Sequence, residues 1–134
     1  MKQLITGILL TLATTLFSQQ TQYNTTKGFI VKGYDVVAYF NNNAVKGNRE
    51  FMTTYDGVKF QFLNTNNLEK FKNNPKKYIP QYGGYCSYAI GKTGKRVAIN
   101  PQTFEIRDGK LYLFYNAWGT NTLELWLKEG PNQL

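Results

Sequence analysis

The chain has 134 residues, with 16 Lys and Arg against 8 Asp and Glu, no histidine, and a net charge of +8. The missing histidine excludes Ser-His-Asp catalysis and HExxH metal sites. The lone cysteine, Cys86, excludes an internal disulfide and a closed four-ligand zinc site.

The start of the chain reads as a secretory signal peptide over residues 1–18. Lys2 supplies the positive charge, residues 4–17 (LITGILLTLATTLF) are apolar and uncharged, and Ser18 begins a polar stretch. The apolar run is too short for a permanent membrane span. The expected location is therefore periplasmic or secreted. Residues 19–27, which open QQTQYNTT, read as a flexible linker, and 28–134 as one folded domain.

Residues 29–31 are apolar and Gly33 turns the chain. Residues 35–40 (DVVAYF), β-branched and aromatic, predict a strand. Residues 49–55 and 58–63 flank Asp56-Gly57, the strongest short-range hairpin signal. Val58, Phe60 and Phe62 alternate with Lys59 and Gln61, which predicts one buried and one wet face. A helix is predicted over 64–74, capped by Asn64 or Thr65, with Leu68 and Phe71 inward and Pro75 ending it. Asn66 and Glu69 have capping-box spacing.

An irregular segment follows: Tyr82-Gly83-Gly84-Tyr85-Cys86-Ser87-Tyr88. Past a basic loop at 91–95, Asn100-Pro101 reads as a break. Residues 103–107 and 110–115 then flank Asp108-Gly109 as a second hairpin. Thr120 or Asn121 caps a last helix, with Leu123, Trp126 and Leu127 at helical spacing and Gly130-Pro131 as its stop. The expected fold is α+β: a small antiparallel sheet built from hairpins, with short helices packed on one face.

The segment around Cys86 concentrates the candidate chemistry. A glycine pair permits a tight turn or a close approach. Beside it, Cys86 is the softest metal ligand in the chain, and Met52 is the one methionine after the leader. Together they suggest a Cu(I) site. The alternative is that Cys86 is a small buried residue and Met52 a core filler. Tyr82, Tyr85 and Tyr88, spaced three apart, suggest an aromatic wall for a planar ligand, phenolate ligands for iron, or ordinary packing. With no histidine to activate it, Cys86 makes a poor nucleophile. Asp35 opens the first predicted strand, and reads as a local backbone acceptor.

One ordered set of motifs runs along the chain: Gly33-Tyr34-Asp35-Val36-Val37-Ala38-Tyr39-Phe40, Ala44-Val45-Lys46-Gly47, and Asp56-Gly57-Val58 with Phe60 and Phe62. It continues through Phe71, Asn74-Pro75, Tyr78, Pro80-Gln81-Tyr82-Gly83-Gly84-Tyr85-Cys86, Pro101, and Asp108-Gly109-Lys110-Leu111-Tyr112-Leu113 with Tyr115-Asn116. In this set the chain resembles the YHS domain proteins in their exported bacterial form. The resemblance implies a compact domain with a metal-related role. The chain departs from the family pattern in two places. Tyr55 stands where many relatives carry histidine, and Cys86 is single where ATPase-linked relatives have a pair.

The expected function is binding rather than catalysis. The ligand is a metal ion, copper among the candidates, held by Cys86 and Met52, or a small molecule beside Tyr34, Tyr82, Gly83, Gly84 and Tyr85. The alternative is a structural or interaction module without a metal, docking another exported protein. The positive charge is dispersed, with Lys70, Lys72, Lys76 and Lys77 as the nearest thing to a cluster. It reads as a solvated face, and no nucleic-acid partner is expected.

Overall fold

Two Asp-Gly turns organise the sheets. In the computed structural model, which describes residues 22–131, Asp56 and Gly57 have φ of 52° and 76°, and Asp108 and Gly109 have 51° and 73°. Positive φ at both central residues matches the right-handed twist of the flanking strands. The first turn joins β3 (Asn48–Tyr55) to β4 (Val58–Phe62), and the second joins β5 (Asn100–Arg107) to β6 (Lys110–Phe114). The expected signal peptide, residues 1–18, lies outside the described residues.

β4 also pairs with β2 (Phe29–Ile30), which pairs with β1 (Thr25–Thr26), giving the order β1-β2-β4-β3. The β2–β4 contact is parallel, through Phe29 opposite Lys59, and the other pairings are antiparallel. The short strands β7 (Asn116–Ala117) and β8 (Thr120–Asn121) form a small hairpin of their own. The helices are α1 (Thr65–Asn73), α2 (Pro75–Tyr78), α3 (Ser87–Thr93) and α4 (Thr122–Glu129). The fold is thus α+β, with small sheets and short helices. No helix among the described residues is long and apolar enough to cross a membrane.

One apolar cluster joins the two halves. It takes Phe60 and Phe62 from β4, Leu111 and Leu113 from β6, and Phe71 from α1. Phe71 lies 4.5 Å from the ring of Phe60 and 5.2 Å from that of Phe62, so α1 is seated on β4 by aromatic packing. Asn64 caps α1 by accepting from Asn67 N at 2.8 Å, so the Asn66–Glu69 spacing does not supply the cap. Asn121 likewise caps α4, accepting from Leu123 N at 3.1 Å.

Several sequence expectations are corrected. Residues 35–40 are not a strand: the chain folds there into a 3-10 turn, Ala38–Asn41, whose entry is bound by Asp35. β-branched and aromatic residues are equally suited to a buried turn, and tertiary burial overrides their strand propensity. Pro75 ends α1 but also opens α2, where its missing N–H costs nothing. Asn100-Pro101 does not break the chain, because β5 starts there and absorbs the proline at a register shift before Phe104. Leu127 faces solvent, with Trp126 carrying the burial of α4. The expected linker, in its described part, is docked: Thr25 and Thr26 pair with β2, and Asn24 N donates to Gly83 O at 2.8 Å.

Candidate functional site

The glycine pair makes the close approach that its composition suggests, but to its own chain. Residues Gln81–Gly84 form a 3-10 turn containing three residues of positive φ, Tyr82 (57°), Gly83 (64°) and Gly84 (88°). Gly83 lies against Gln22, and a Cβ there would overlap the Gln22 carbonyl oxygen. Asn24 secures the same strip, its side-chain amide donating to Gly84 O at 3.1 Å. Arg96 donates to Gln22 Oε1 from the other side. Gly83 and Gly84 are buried, and they hold the N-terminal strip in place.

Beside this turn lies a cleft of about 490 Å³, lined by Tyr23, Lys76, Ile79, Tyr82, Gly83 and Arg96 among others. Tyr82 is 48% exposed at its edge. The other candidate tyrosines are dispersed. Tyr85 is half-buried under the Arg96 guanidinium, which sits 6.0 Å from its ring centre. Tyr88 donates to Glu129 Oε1 at 2.9 Å, tying α3 to α4. That hydrogen bond, with help from Lys92 at 3.2 Å, holds the Glu129 carboxyl below the usual carboxylate range. Tyr34 forms an isolated bridge to Lys46 and accepts from Gln102 Nε2 at 3.1 Å. The left-handed backbone at Tyr82 and Gly83 breaks the helical register that would have aligned Tyr82, Tyr85 and Tyr88.

Cys86 is fully buried and belongs to the central apolar cluster. Its Sγ lies 3.3 Å from Thr122 Oγ1, and the Thr122 hydroxyl donates to Tyr115 O at 2.6 Å. Since that hydroxyl has one proton, the thiol is the donor, and the chain runs from Cys86 through Thr122 to Tyr115. Met52 stands on β3 at 41% exposure, apart from the cluster that holds Cys86. The structure does not bring the two sulfurs together. No group of three or more His, Cys, Asp or Glu converges on a metal-sized site among the described residues. A hydroxyl and apolar walls are a poor donor set for Cu(I), which prefers sulfur. The expected copper site at Cys86 and Met52 is therefore not assembled in this fold.

A structural role makes a direct prediction. Cys86→Ala should cost about 1 kcal/mol, the price of one buried heavy atom, and a thiol reagent should modify Cys86 only on unfolding. Chemical denaturation with and without Cu(I) checks it. A Cu(I)-dependent stabilisation of the native protein that the variant abolishes would reinstate the metal site.

Burial also acts on Tyr39, whose hydroxyl pKa it drives well above the ordinary tyrosine range. The hydroxyl donates to Pro101 O at 2.7 Å, so this residue is a neutral strut between the 3-10 turn and β5.

The residue that sequence reasoning missed is Trp118. It occupies the first central position of the two-residue β7–β8 turn, with φ of 53°, followed by Gly119 at 79°. Its side chain is 96% exposed. This turn type favours Asn, Asp or Gly at that position, and a left-handed bulky residue costs about 1–2 kcal/mol. The signal was available as a Trp-Gly pair between Asn116-Ala117 and Thr120-Asn121, but flanking strands of two residues each give no periodicity to detect. No family model, curated protein or solved structure matches the chain.

Proposed function

We propose that the chain is an exported, non-catalytic interaction module of the YHS type, which docks a protein partner through Trp118. The observation that carries this reading is the presentation of that indole. A tryptophan placed in water on a strained turn gains nothing for the fold. A large, rigid aromatic side chain is also the commonest anchor of a protein–protein contact. The hairpin that bears it is tied to the domain. Thr122 N donates to Tyr115 O at 3.0 Å, and Asn100 Nδ2 donates to Asn116 O at 3.3 Å. The indole is thus held on a defined base, which lowers the entropic cost of docking.

The reading is tested with Trp118→Asn. Asparagine suits the turn, so this variant should be about 0.5–1 kcal/mol more stable than the native protein by denaturant melt. A photo-crosslinker is placed at Thr120 in the full chain, expressed in its native host. It should give one discrete adduct with Trp118 present and none with Trp118→Asn. An adduct that survives the substitution, or no adduct with Trp118 intact, overturns the proposal.

A further inference from the structure

A second concave surface lies where the β1–β2 turn, the 3-10 turn Val31–Gly33 and the start of β3 meet. It is a groove of about 600 Å³. Lys27, Lys32, Lys46 and Arg49 line it, with Phe29 and Asn48, and among the described residues no carboxylate does. All four cations are exposed. The ion pairs among the described residues are Lys92–Glu129 and Arg107–Glu105, so none of the four is neutralised by a partner there. Like charges around one concavity repel each other and focus a positive potential into it. A dispersed solvated surface would avoid that arrangement.

The backbone produces the cluster at a cost. Val31 and Lys32 are both left-handed, with φ of 49° and 53°, and Gly33 follows at 83°. Left-handed geometry is strained for a β-branched residue. The turn buries Val31 at 2% exposure and leaves Lys32 in solvent at the groove wall. Gly47 N donates to Gly33 O at 2.8 Å, which brings the segment carrying Lys46 and Arg49 alongside. Charges remote in sequence thereby share one groove, and this explains why no basic run marks it in the sequence.

We propose that this groove binds a segment of an acidic polysaccharide. Four cations exceed what one small oxyanion needs, and the volume lies in the range that holds a ligand of several rings. The walls offer more than charge. Asn48 accepts from Glu50 N at 2.9 Å and keeps its amide donor for a hydroxyl. The lysine stems provide apolar contact for the C–H faces of a sugar, beside the Phe29 ring, which carries Lys59 Nζ 5.5 Å from its centre. A bilayer is flat and meets protruding side chains, whereas these cations line a recess.

The test uses a sulfated hexasaccharide titrated into the full chain by calorimetry, at low and at physiological salt. Saturable binding that weakens with salt is expected. Lys32→Glu and the double variant Lys46→Glu/Arg49→Glu should each weaken it at least about tenfold. Lys72→Glu/Lys110→Glu makes the same charge change as the double variant, away from the groove, and should alter affinity less than about threefold. Equal loss in that control means diffuse attraction and overturns the site, as does the absence of hexasaccharide binding. Inorganic sulfate, vesicles containing phosphatidylglycerol, and a short oligonucleotide complete the experiment. Tighter groove-dependent binding to any of these three overturns the polysaccharide assignment.

Discussion

Asp35→Ala should lower the unfolding free energy by about 4 kcal/mol, because it strands several buried donors at once. Asp35 is fully buried. Its Oδ1 accepts from the N–H groups of Val37 at 2.8 Å and Ala38 at 3.1 Å. Its Oδ2 accepts from Leu63 N at 2.7 Å and Asn67 Nδ2 at 2.8 Å. One carboxylate thus joins the 3-10 turn, the end of β4 and the first turn of α1. Each donor left without an acceptor in the interior costs about 1–3 kcal/mol, partly offset where water enters the space vacated. Asp35→Asn separates charge from shape. Its oxygen still serves two donors, but its amide nitrogen faces the other two, so about half the loss is expected. Urea denaturation of the three proteins checks the order. If Asn is as costly as Ala, hydrogen bonding through a retained oxygen is not what holds the turn. If neither substitution costs more than about 1 kcal/mol, this carboxylate is not the junction described.

The parts of this fold that were legible in the sequence are those governed by neighbouring residues. Asp56-Gly57 and Asp108-Gly109 specify hairpins because the turn geometry needs left-handed residues at both positions. Asn64 specifies the start of α1 because its side chain satisfies an N–H three residues on. The misreadings concern residues whose role is set from a distance. Residues 35–40 have strand composition, yet Asp35 reaches 28 and 32 positions along the chain for its Oδ2 partners and folds the segment into a turn. The glycine pair permits a tight turn or a close approach, and the fold uses it for both. What approaches is residues 22–24, contributed from 60 positions away, so the site read as a ligand turn holds an N-terminal strip.

The same division explains the candidate sites. Cys86 stood out for its chemistry, but chemistry does not report burial, and the thiol lies in the core on Thr122. Trp118 and the basic groove were missed for the opposite reason. Neither has an unusual local composition, and both become distinctive through exposure or proximity in space. Charge summed over the sequence suggested dispersal. Folding gathers Lys27, Lys32, Lys46 and Arg49 around one recess.

Gly47→Ala should be the most damaging glycine substitution in the first sheet, although Gly47 has no positive φ. A Cβ at this position would lie 2.5 Å from the carbonyl carbon of Gln61 and 2.7 Å from its oxygen. Both atoms belong to the backbone of β4, an inner strand of its sheet, and have no side-chain freedom with which to retreat. The segment bearing Gly47 must move instead. That movement breaks the Gly47 N to Gly33 O bond at 2.8 Å and pulls on the Asp35 N to Val45 O bond at 2.9 Å. Overpacking of this kind costs about 3 kcal/mol. Gly57→Ala is the control, since a Cβ there meets nothing within 4 Å and only its φ of 76° is disfavoured. It should cost about 1 kcal/mol. The damage at Gly47 should also reach the groove, because Lys46, Asn48 and Arg49 ride on the displaced segment. Hexasaccharide affinity should therefore fall in Gly47→Ala and hold in Gly57→Ala, at temperatures where both variants remain folded. Equal stability losses in the two variants would mean that β3 does not pass as close to β4 as the Gly47 backbone requires.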